Sequence, residues 1–267
     1  MAMQQTLGIL AAVVAMAGTA ACHPRGRTPQ APPAVAPDVD RRRAMDFFHR
    51  GDFRRAQTVL QRVTFELTPG TPELAEVRYY LAECWFQLGD YVQAASDFRK
   101  VADEFSTTEF APPALLRAGD ANLRLWHRPE LDPAYGETAL AIYQELAGRF
   151  PDSDAAARGR LHVRHLENQF AEKTYKTGIF YLRRKAFDSA IIYFKDVIAN
   201  YPTADRASDA LLRLVDSYRA IGYKQELQET CEHLRRFYPS ATGLGRTCPA
   251  AADSSATPAT PATPSTP

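Results

Sequence analysis

Two histidines are the first candidates for metal or acid–base chemistry in this chain. His162 and His165 stand three residues apart, so they would share one helix face, and Glu167 and His127 are the nearest further candidates for ligands. Two adjacent histidines can begin a zinc site, but no third ligand stands at the spacing of a known metal-binding motif. The sequence therefore favours a solvated surface pair, and we expect neither a metal nor another cofactor.

Patterns that would carry catalysis are missing from the sequence. It contains no glycine-rich phosphate loop ending in Lys-Ser or Lys-Thr, no His-Glu-x-x-His, no Gly-x-Ser-x-Gly and no dinucleotide-binding fingerprint. The 32 basic and 31 acidic side chains nearly cancel, so the chain lacks the strongly basic character of proteins that bind nucleic acid non-specifically. We therefore predict a protein that is not an enzyme and that does not bind nucleic acid.

Three cysteines in the body of the chain raise the question of thiol chemistry. In an oxidising compartment, at least one of Cys84, Cys231 and Cys248 must remain unpaired because their number is odd. Cys84 lies inside a predicted helix, where we expect it to be a small buried hydrophobic residue. Cys231 occupies a core position of another predicted helix, and a bridge to Cys248 would fasten the C-terminal segment. The sequence leaves that pairing open.

A fourth cysteine, Cys22, follows a segment typical of a secretory signal. The apolar run 7–21 is shorter than the roughly 20 residues that a membrane-spanning helix needs, and it fits the hydrophobic region of a signal peptide. It ends in Gly-Thr-Ala-Ala directly before the cysteine, which resembles the lipobox of bacterial lipoproteins. We predict removal of residues 1–21 and lipid attachment to Cys22. Ordinary secretory cleavage is the alternative, because Thr19 stands where a lipobox usually has leucine and the first six residues carry no Lys or Arg.

The two ends of the chain differ in composition from its middle. Residues 22–39 are rich in proline and have no apolar periodicity, which predicts an extended tether that follows the lipidated cysteine. Residues 249–267 consist almost wholly of Ala, Thr, Pro and Ser, so burial cannot offset their ordering entropy and we predict disorder. Residues 40–248 are poor in glycine and in strand-like alternation. We expect helix almost throughout this middle part and an all-α fold.

The middle of the chain repeats a pattern of turn, small residue and proline. Gly-Asp-Phe at 51–53 and Gly-Asp-Tyr at 89–91 are each followed by an alanine and further apolar residues at helical spacing. Three later segments end in an aromatic residue followed by proline, at 150–151, 201–202 and 238–239. These features are typical of tetratricopeptide helix hairpins. We predict a right-handed solenoid of five such hairpins, at 40–69, 74–106, 112–151, 171–202 and 207–239.

The recurring residues have a physical role in stacking hairpins. An alanine has no side chain beyond Cβ, so it lets the partner helix of a hairpin pack closely. The alanines at this position are Ala56, Ala94, Ala139 and Ala190. A single hairpin leaves its apolar face exposed, and the next hairpin covers it. An irregular helical bundle with the same amphipathic pattern is the alternative.

Departures from a plain repeat array point to a family. A loop at 125–133 is inserted before the second helix of the third repeat. A long charged helical stretch at 155–173 leads into the fourth repeat. This layout resembles the BamD family, the tetratricopeptide-repeat lipoproteins of the outer-membrane β-barrel assembly machinery. The resemblance runs from Cys22 to about Pro239. It is most specific between Tyr135 and Pro239, which includes the segments 150–153, 178–181 and 190–202, and it is weakest in the first repeat.

The resemblance implies a five-repeat, non-enzymatic scaffold on the periplasmic face of the outer membrane, anchored by lipid alone. His23 follows Cys22, in place of the aspartate that retains lipoproteins in the inner membrane. In this family the C-terminal repeats dock on the barrel-forming subunit BamA and the N-terminal repeats receive unfolded outer-membrane proteins, and other assembly lipoproteins are expected partners. The alternatives are another periplasmic tetratricopeptide adaptor, for envelope constriction or peptidoglycan synthesis, and a helical lipoprotein enzyme.

A peptide-binding groove is expected along the inner surface of the stack. In tetratricopeptide arrays, this groove is lined by first-helix positions that point away from the second helix. Counting back from the predicted turns gives Phe48, Tyr79, Glu83, Phe86 and Asn122. Aromatic rings beside an acid and an amide could hold an extended apolar peptide by ring contacts and backbone hydrogen bonds. For Phe48 and Phe86, burial in the core between repeats is the alternative.

A second candidate surface lies in the C-terminal repeats. For docking of the partner subunit we choose Tyr175, Arg183, Arg184, Asp216 and Arg219. Arginine guanidinium groups suit paired hydrogen bonds to carboxylates of a partner. The alternative is an ordinary solvated charged face, because most surface charges have no fixed partner.

Overall fold

A computed structural model describes residues 37–127 and 132–248 of the chain, and every regular element in these ranges is a helix. The all-α prediction is therefore confirmed. The predicted signal peptide with Cys22, most of the tether and the C-terminal tail lie outside the described residues. The long helices are α1 (Pro37–His49), α2 (Phe53–Glu66), α3 (Pro72–Gln87), α4 (Tyr91–Glu104), α5 (Ala111–Leu125), α6 (Ala134–Arg149), α7 (Asp154–Arg183), α8 (Phe187–Asn200), α9 (Ala207–Ile221) and α10 (Lys224–Phe237). A short helix, α11 (Leu244–Thr247), follows them.

Glycine and aspartate form the turns of the first two hairpins. Gly51 and Gly89 have φ angles of 77° and 85°, in the left-handed region that favours glycine. The next residues, Asp52 and Asp90, cap the following helices by accepting hydrogen bonds from backbone amides of α2 and α4. The Gly-Asp pairs therefore end one helix and begin the next, as their sequence pattern predicts.

Close approach of the two helices in a hairpin depends on glycine at two places. A Cβ atom built on Gly119 of α5 would lie 2.5 Å from the ring of Tyr143 on α6. A Cβ atom on Gly178 of α7 would lie 2.6 Å from the ring of Phe194 on α8. Both rings are fully buried. In both hairpins, a glycine of the first helix thus leaves room for an aromatic ring of the second helix.

The core runs along the chain as a series of clusters. Each long helix packs against the next one in sequence, and α7 also contacts both α5 and α9. The length of α7 lets it join two clusters: Leu166 and Phe170 belong to the core of the preceding hairpins, and Ala171 belongs to the core shared with α8 and α9. This is the stacking of hairpins that a tetratricopeptide solenoid requires, with the long predicted helical stretch continuous with the fourth hairpin.

No helix within the described ranges combines the length and the apolar character that a bilayer crossing needs.

Candidate functional site

The predicted groove residues lie on three helices and are largely buried. Phe48 of α1 is half-buried and packs edge-on against Tyr80 at 5.1 Å between ring centroids. Glu83 and Phe86 of α3 are buried, and so is Asn122 of α5, whose amide donates to the carbonyl of its own helix. Their burial leaves these side chains little surface for a ligand in this structure. The groove assignment stays a prediction.

The carboxylate of Glu83 forms a bidentate ion pair with an arginine of the next repeat. Arg117 of α5 donates from Nε and Nη2 to the two carboxylate oxygens of Glu83, at 2.5 and 2.8 Å. The hydroxyl of Tyr79 donates a weaker hydrogen bond to Oε1 of the same carboxylate at 3.4 Å. The acid that we chose for a peptide ligand is therefore already engaged, and its main partner, Arg117, was missed by the sequence analysis.

Arg117 extends this ion pair into a network. Its Nη1 donates to Asp120 at 3.1 Å, and Asp120 accepts a hydrogen bond of 2.8 Å from the hydroxyl of Tyr143 on α6. The guanidinium also lies 3.7 Å from the ring centroid of Phe86. One arginine therefore ties α3, α5 and α6 together through charge, hydrogen bonds and a ring contact.

The network shifts the pKa values of its members strongly. Burial lowers the pKa of Arg117, but its hydrogen bonds to Glu83 and the charge of that carboxylate outweigh burial and raise it. Burial, together with the negative charge of Asp120, raises the pKa of Tyr143, and burial with Glu83 raises that of Tyr79. The arginine stays charged and both phenols stay neutral across the physiological range, so the network acts as a fixed structural link.

Ion pairs at the repeat period recur along the first helices of the hairpins. Arg41 pairs with Glu76 at 2.5 Å across 35 residues, and Glu172 pairs with Arg206 at 2.5 Å across 34 residues. Glu83 and Arg117 are likewise 34 residues apart. Opposite charges one repeat apart were thus a signal in the sequence for contacts between successive hairpins.

The predicted partner interface forms an open cleft between α7 and α9. The cleft has a volume of about 710 Å³ and is lined by Tyr175, Lys176, Ile179, Phe180, Arg183, Arg184 and Arg213. Three of our five predicted residues line it. The lining residues that were not predicted from the sequence include Phe180, which is 48% exposed, and Arg213, which comes from the opposite helix. The cleft combines aromatic rings with an excess of cations.

Asp216 and Arg219 continue the same surface along α9. Asp216 accepts from Arg213 at 3.0 Å and from Arg219 at 3.4 Å. A hydrogen bond to the hydroxyl of Tyr175 raises the pKa of Arg213, so this side chain stays charged. The structure therefore brings all five predicted interface residues to one strip, in which Arg213 is the link between the two helices.

The histidines and cysteines take structural positions. His162 stacks on the ring of Tyr143 at 4.8 Å, and across residues 37–127 and 132–248 no group of three or more metal-ligating side chains comes together. Cys84 is free and buried, and burial raises the pKa of its thiol to about 12. Cys231 and Cys248 form a disulfide with a Cα–Cα distance of 5.6 Å, which decides the pairing that the sequence left open.

In sequence, the chain is similar to a family of outer membrane lipoproteins. The family model described as "YfiO: Outer membrane lipoprotein" matches residues 43–234. The outer membrane protein assembly factor BamD of Caulobacter vibrioides is 35% identical over 95 residues, covering 36% of this chain and 31% of that protein. BamD of Rickettsia prowazekii is 31% identical over 99 residues, covering 37% of this chain and 39% of that protein. Each match thus spans less than half the length of the relative.

Solved structures of tetratricopeptide proteins are among the matches to this chain. The TPR2AB domain of yeast Sti1 has a TM-score of 0.42 and 13% identity, with 76% of this chain and 78% of that chain covered. A thermophilic TPR protein of Thermus thermophilus has a TM-score of 0.37 and 18% identity, with 79% of this chain and 97% of that chain covered.

Proposed function

This chain belongs to the YfiO family of outer membrane lipoproteins, and from that premise we propose that it is a non-enzymatic scaffold of outer membrane protein assembly. The observation that carries the proposal is the match of the family model across nearly the whole helical stack, 43–234. Three relatives are named as outer membrane protein assembly factors, which supports a role for this chain in the same process. A stack of helix hairpins offers extended surfaces, which suits a protein that positions other polypeptides.

We assign the C-terminal hairpins to docking of the barrel-forming subunit BamA. The cleft between α7 and α9 supports this assignment because it presents exposed cations beside an exposed aromatic ring, a combination common at protein interfaces. Other assembly lipoproteins would bind elsewhere on the stack.

We assign the N-terminal hairpins to unfolded outer-membrane proteins. Tyr79 and Phe48 remain half-buried on α3 and α1, so they keep some surface for an extended apolar peptide. Glu83 and Phe86 would serve this groove from beneath, because both contact Arg117, which holds α3 and α5 together. Asn122 stays a proposed groove residue, buried on α5.

Recovery of partners from solubilised outer membranes tests the proposed function. With the full-length chain as bait, we expect BamA and unfolded barrel proteins to be enriched relative to a bait-free sample. Reproducible recovery of cell-wall enzymes without BamA would contradict the proposal and favour an envelope adaptor of another kind.

Lipid anchoring has its own test at Cys22. We propose that residues 1–21 are a signal peptide, that a lipid on Cys22 holds the protein at the periplasmic face, and that residues 22–36 tether the body. The predicted tether ran to residue 39, but residues 37–39 form the first turn of α1. Because one cysteine would carry the anchor, Cys22→Ala should move the protein from the outer-membrane fraction to the soluble periplasm. Cys84→Ala is the control, since that buried thiol is not an attachment site. Unchanged membrane retention of Cys22→Ala would contradict the anchor.

A further inference from the structure

The turns of the first two hairpins share one hydrogen-bond pattern. The amide of Gly51 donates to the carbonyl three residues earlier, and that of Asp52 to the carbonyl five residues earlier, both at 2.9 Å. Gly89 and Asp90 repeat the pattern at 3.1 and 3.0 Å. The first position of each turn is left-handed, and the second caps the next helix with a carboxylate.

The fourth hairpin has the same turn with different residues. Lys185 donates to the carbonyl three residues earlier at 3.0 Å, and Ala186 to the carbonyl five residues earlier at 3.1 Å. Lys185 therefore stands where the other turns have glycine, and its φ of 58° makes it the one left-handed residue other than glycine in the described part of the chain. Ala186 replaces the capping aspartate and makes no side-chain cap. The turn accepts backbone strain and a missing cap that Gly-Asp would remove.

Charge is what these two residues add. Gly-Asp carries one negative charge and Lys-Ala carries one positive charge, so the fourth turn is two charges more positive than the first two. It follows Arg183 and Arg184, which makes three consecutive exposed cations. The negative end of the α7 dipole favours cations in its last turn, which accounts for the arginines. The dipole also attracts the charge of Lys185, but Gly-Asp would remove the backbone strain and supply the missing cap, so charge is the property that Lys185 gives this turn.

Arg183 and Arg184 line the cleft between α7 and α9, and Lys185 follows them directly in the chain. Neither Arg183 nor Lys185 has an acidic partner anywhere in the described ranges, and the guanidinium of Arg184 lies 3.5 Å from the centroid of Phe180. Nearby acids are occupied or lie on the next helix: Glu172 pairs with Lys176 and Arg206, Asp216 pairs with Arg213, and Asp188 is in the first turn of α8. Free positive charge thus faces an apolar floor of Ile179 and Phe180.

We propose that the fourth turn and this cleft form a binding site for an acidic segment of a partner protein. Carboxylates of the segment would pair with Arg183 and Lys185, which have no acidic partner in the described ranges, and an apolar side chain would insert against Ile179 and Phe180. A segment fits better than an anionic bilayer, because a cleft of about 710 Å³ with an apolar floor can enclose a side chain that a flat headgroup layer does not supply. The inference rests on the proposed function, since it states what the docking surface recognises.

Restoring a Gly-Asp turn in the fourth hairpin tests binding without weakening the fold. In the full-length protein, the double variant Lys185→Gly, Ala186→Asp relieves strain and adds a helix cap, so we expect its melting temperature to stay equal or rise. Binding should weaken by about tenfold or more, because the site loses a cation and gains an anion. The matched control is Arg54→Glu, which makes the same change of two charges on an exposed residue of α2.

Two probes distinguish failure of the inference from failure of the proposed function. One is the purified periplasmic part of BamA, and the other is a fluorescent synthetic peptide that alternates glutamate with leucine. If the unmodified protein binds the peptide and not BamA, the partner assignment fails and the acidic-segment site stands. If the turn variant binds both probes as tightly as the unmodified protein does, the site is overturned.

Charge dependence and lipid binding complete the test. A peptide with glutamine in place of glutamate should bind at least about tenfold more weakly, and equal binding would overturn the inference. Phosphatidylglycerol vesicles serve as the competing surface. If the turn variant loses vesicle binding while its peptide binding is unchanged, the fourth turn contacts lipid and the proposal is wrong.

Discussion

Replacing Arg117 with methionine should destabilise the protein by about 3 kcal/mol, because it leaves a buried carboxylate without its partner. The side chain of Glu83 is 10% exposed and that of Arg117 is 21% exposed, so water can replace little of the lost ion pair. The substitution also removes the contact with Asp120 and the cation over Phe86. Chemical denaturation followed by circular dichroism measures the loss of helix and hence the free energy of unfolding.

A surface ion pair supplies the control for Arg117. Arg78 pairs with Glu104, where the side chains are 32% and 50% exposed, so Arg78→Met should cost only up to about 1 kcal/mol. The double variant Glu83→Gln, Arg117→Met should recover part of the loss, because it removes the unpaired charge as well. Equal destabilisation by Arg117→Met and Arg78→Met would contradict the role given to the buried network.

Local features of the fold were predictable because their causes are local. A left-handed glycine followed by a capping aspartate specifies a turn whatever surrounds it, so Gly51 and Asp52, and later Gly89 and Asp90, place the first turns correctly. Lys185 shows the limit of this reasoning. Its turn has the same geometry without the same residues, and only the hydrogen bonds of the backbone identify it.

Contacts between repeats were harder to predict because they depend on how the hairpins stack. Glu83 was chosen for a groove from its position on one helix, yet Arg117 on the next hairpin engages its carboxylate. Arg213 was missed for the same reason, since it reaches the cleft from α9 while the chosen arginines are at the end of α7. A pattern on one helix identifies a face, and only the neighbouring repeat decides whether that face is open.

The disulfide was left open by the sequence because it joins a helix to a segment without repeat character. Spacing alone cannot place Cys231 and Cys248 at a Cα–Cα distance of 5.6 Å. In the structure, the bridge fastens α11 to α10, and both cysteines pack in the last core cluster with Leu211 and Val215 of α9. No further repeat follows the final hairpin in the described chain. The α11 segment packs against its apolar face instead.

Removing this disulfide should destabilise the C-terminal hairpin by about 3 kcal/mol, because the bridge closes a loop across a sequence separation of 17. The double variant Cys231→Ala, Cys248→Ala avoids a leftover thiol. Hydrogen exchange should then quicken in α9, α10 and α11 while α1 to α4 stay unchanged, since each repeat contacts only its neighbours.

A reductant gives the matched control for the disulfide. It should reproduce the faster exchange in the unmodified protein and leave the double variant unaffected, because the buried Cys84 has no disulfide to lose. Faster exchange spread evenly over the whole stack would mean that the repeats unfold as one unit, and the bridge would then be holding more than the last hairpin. Exchange that does not change in α9 to α11 would show that core packing alone secures the end of the solenoid.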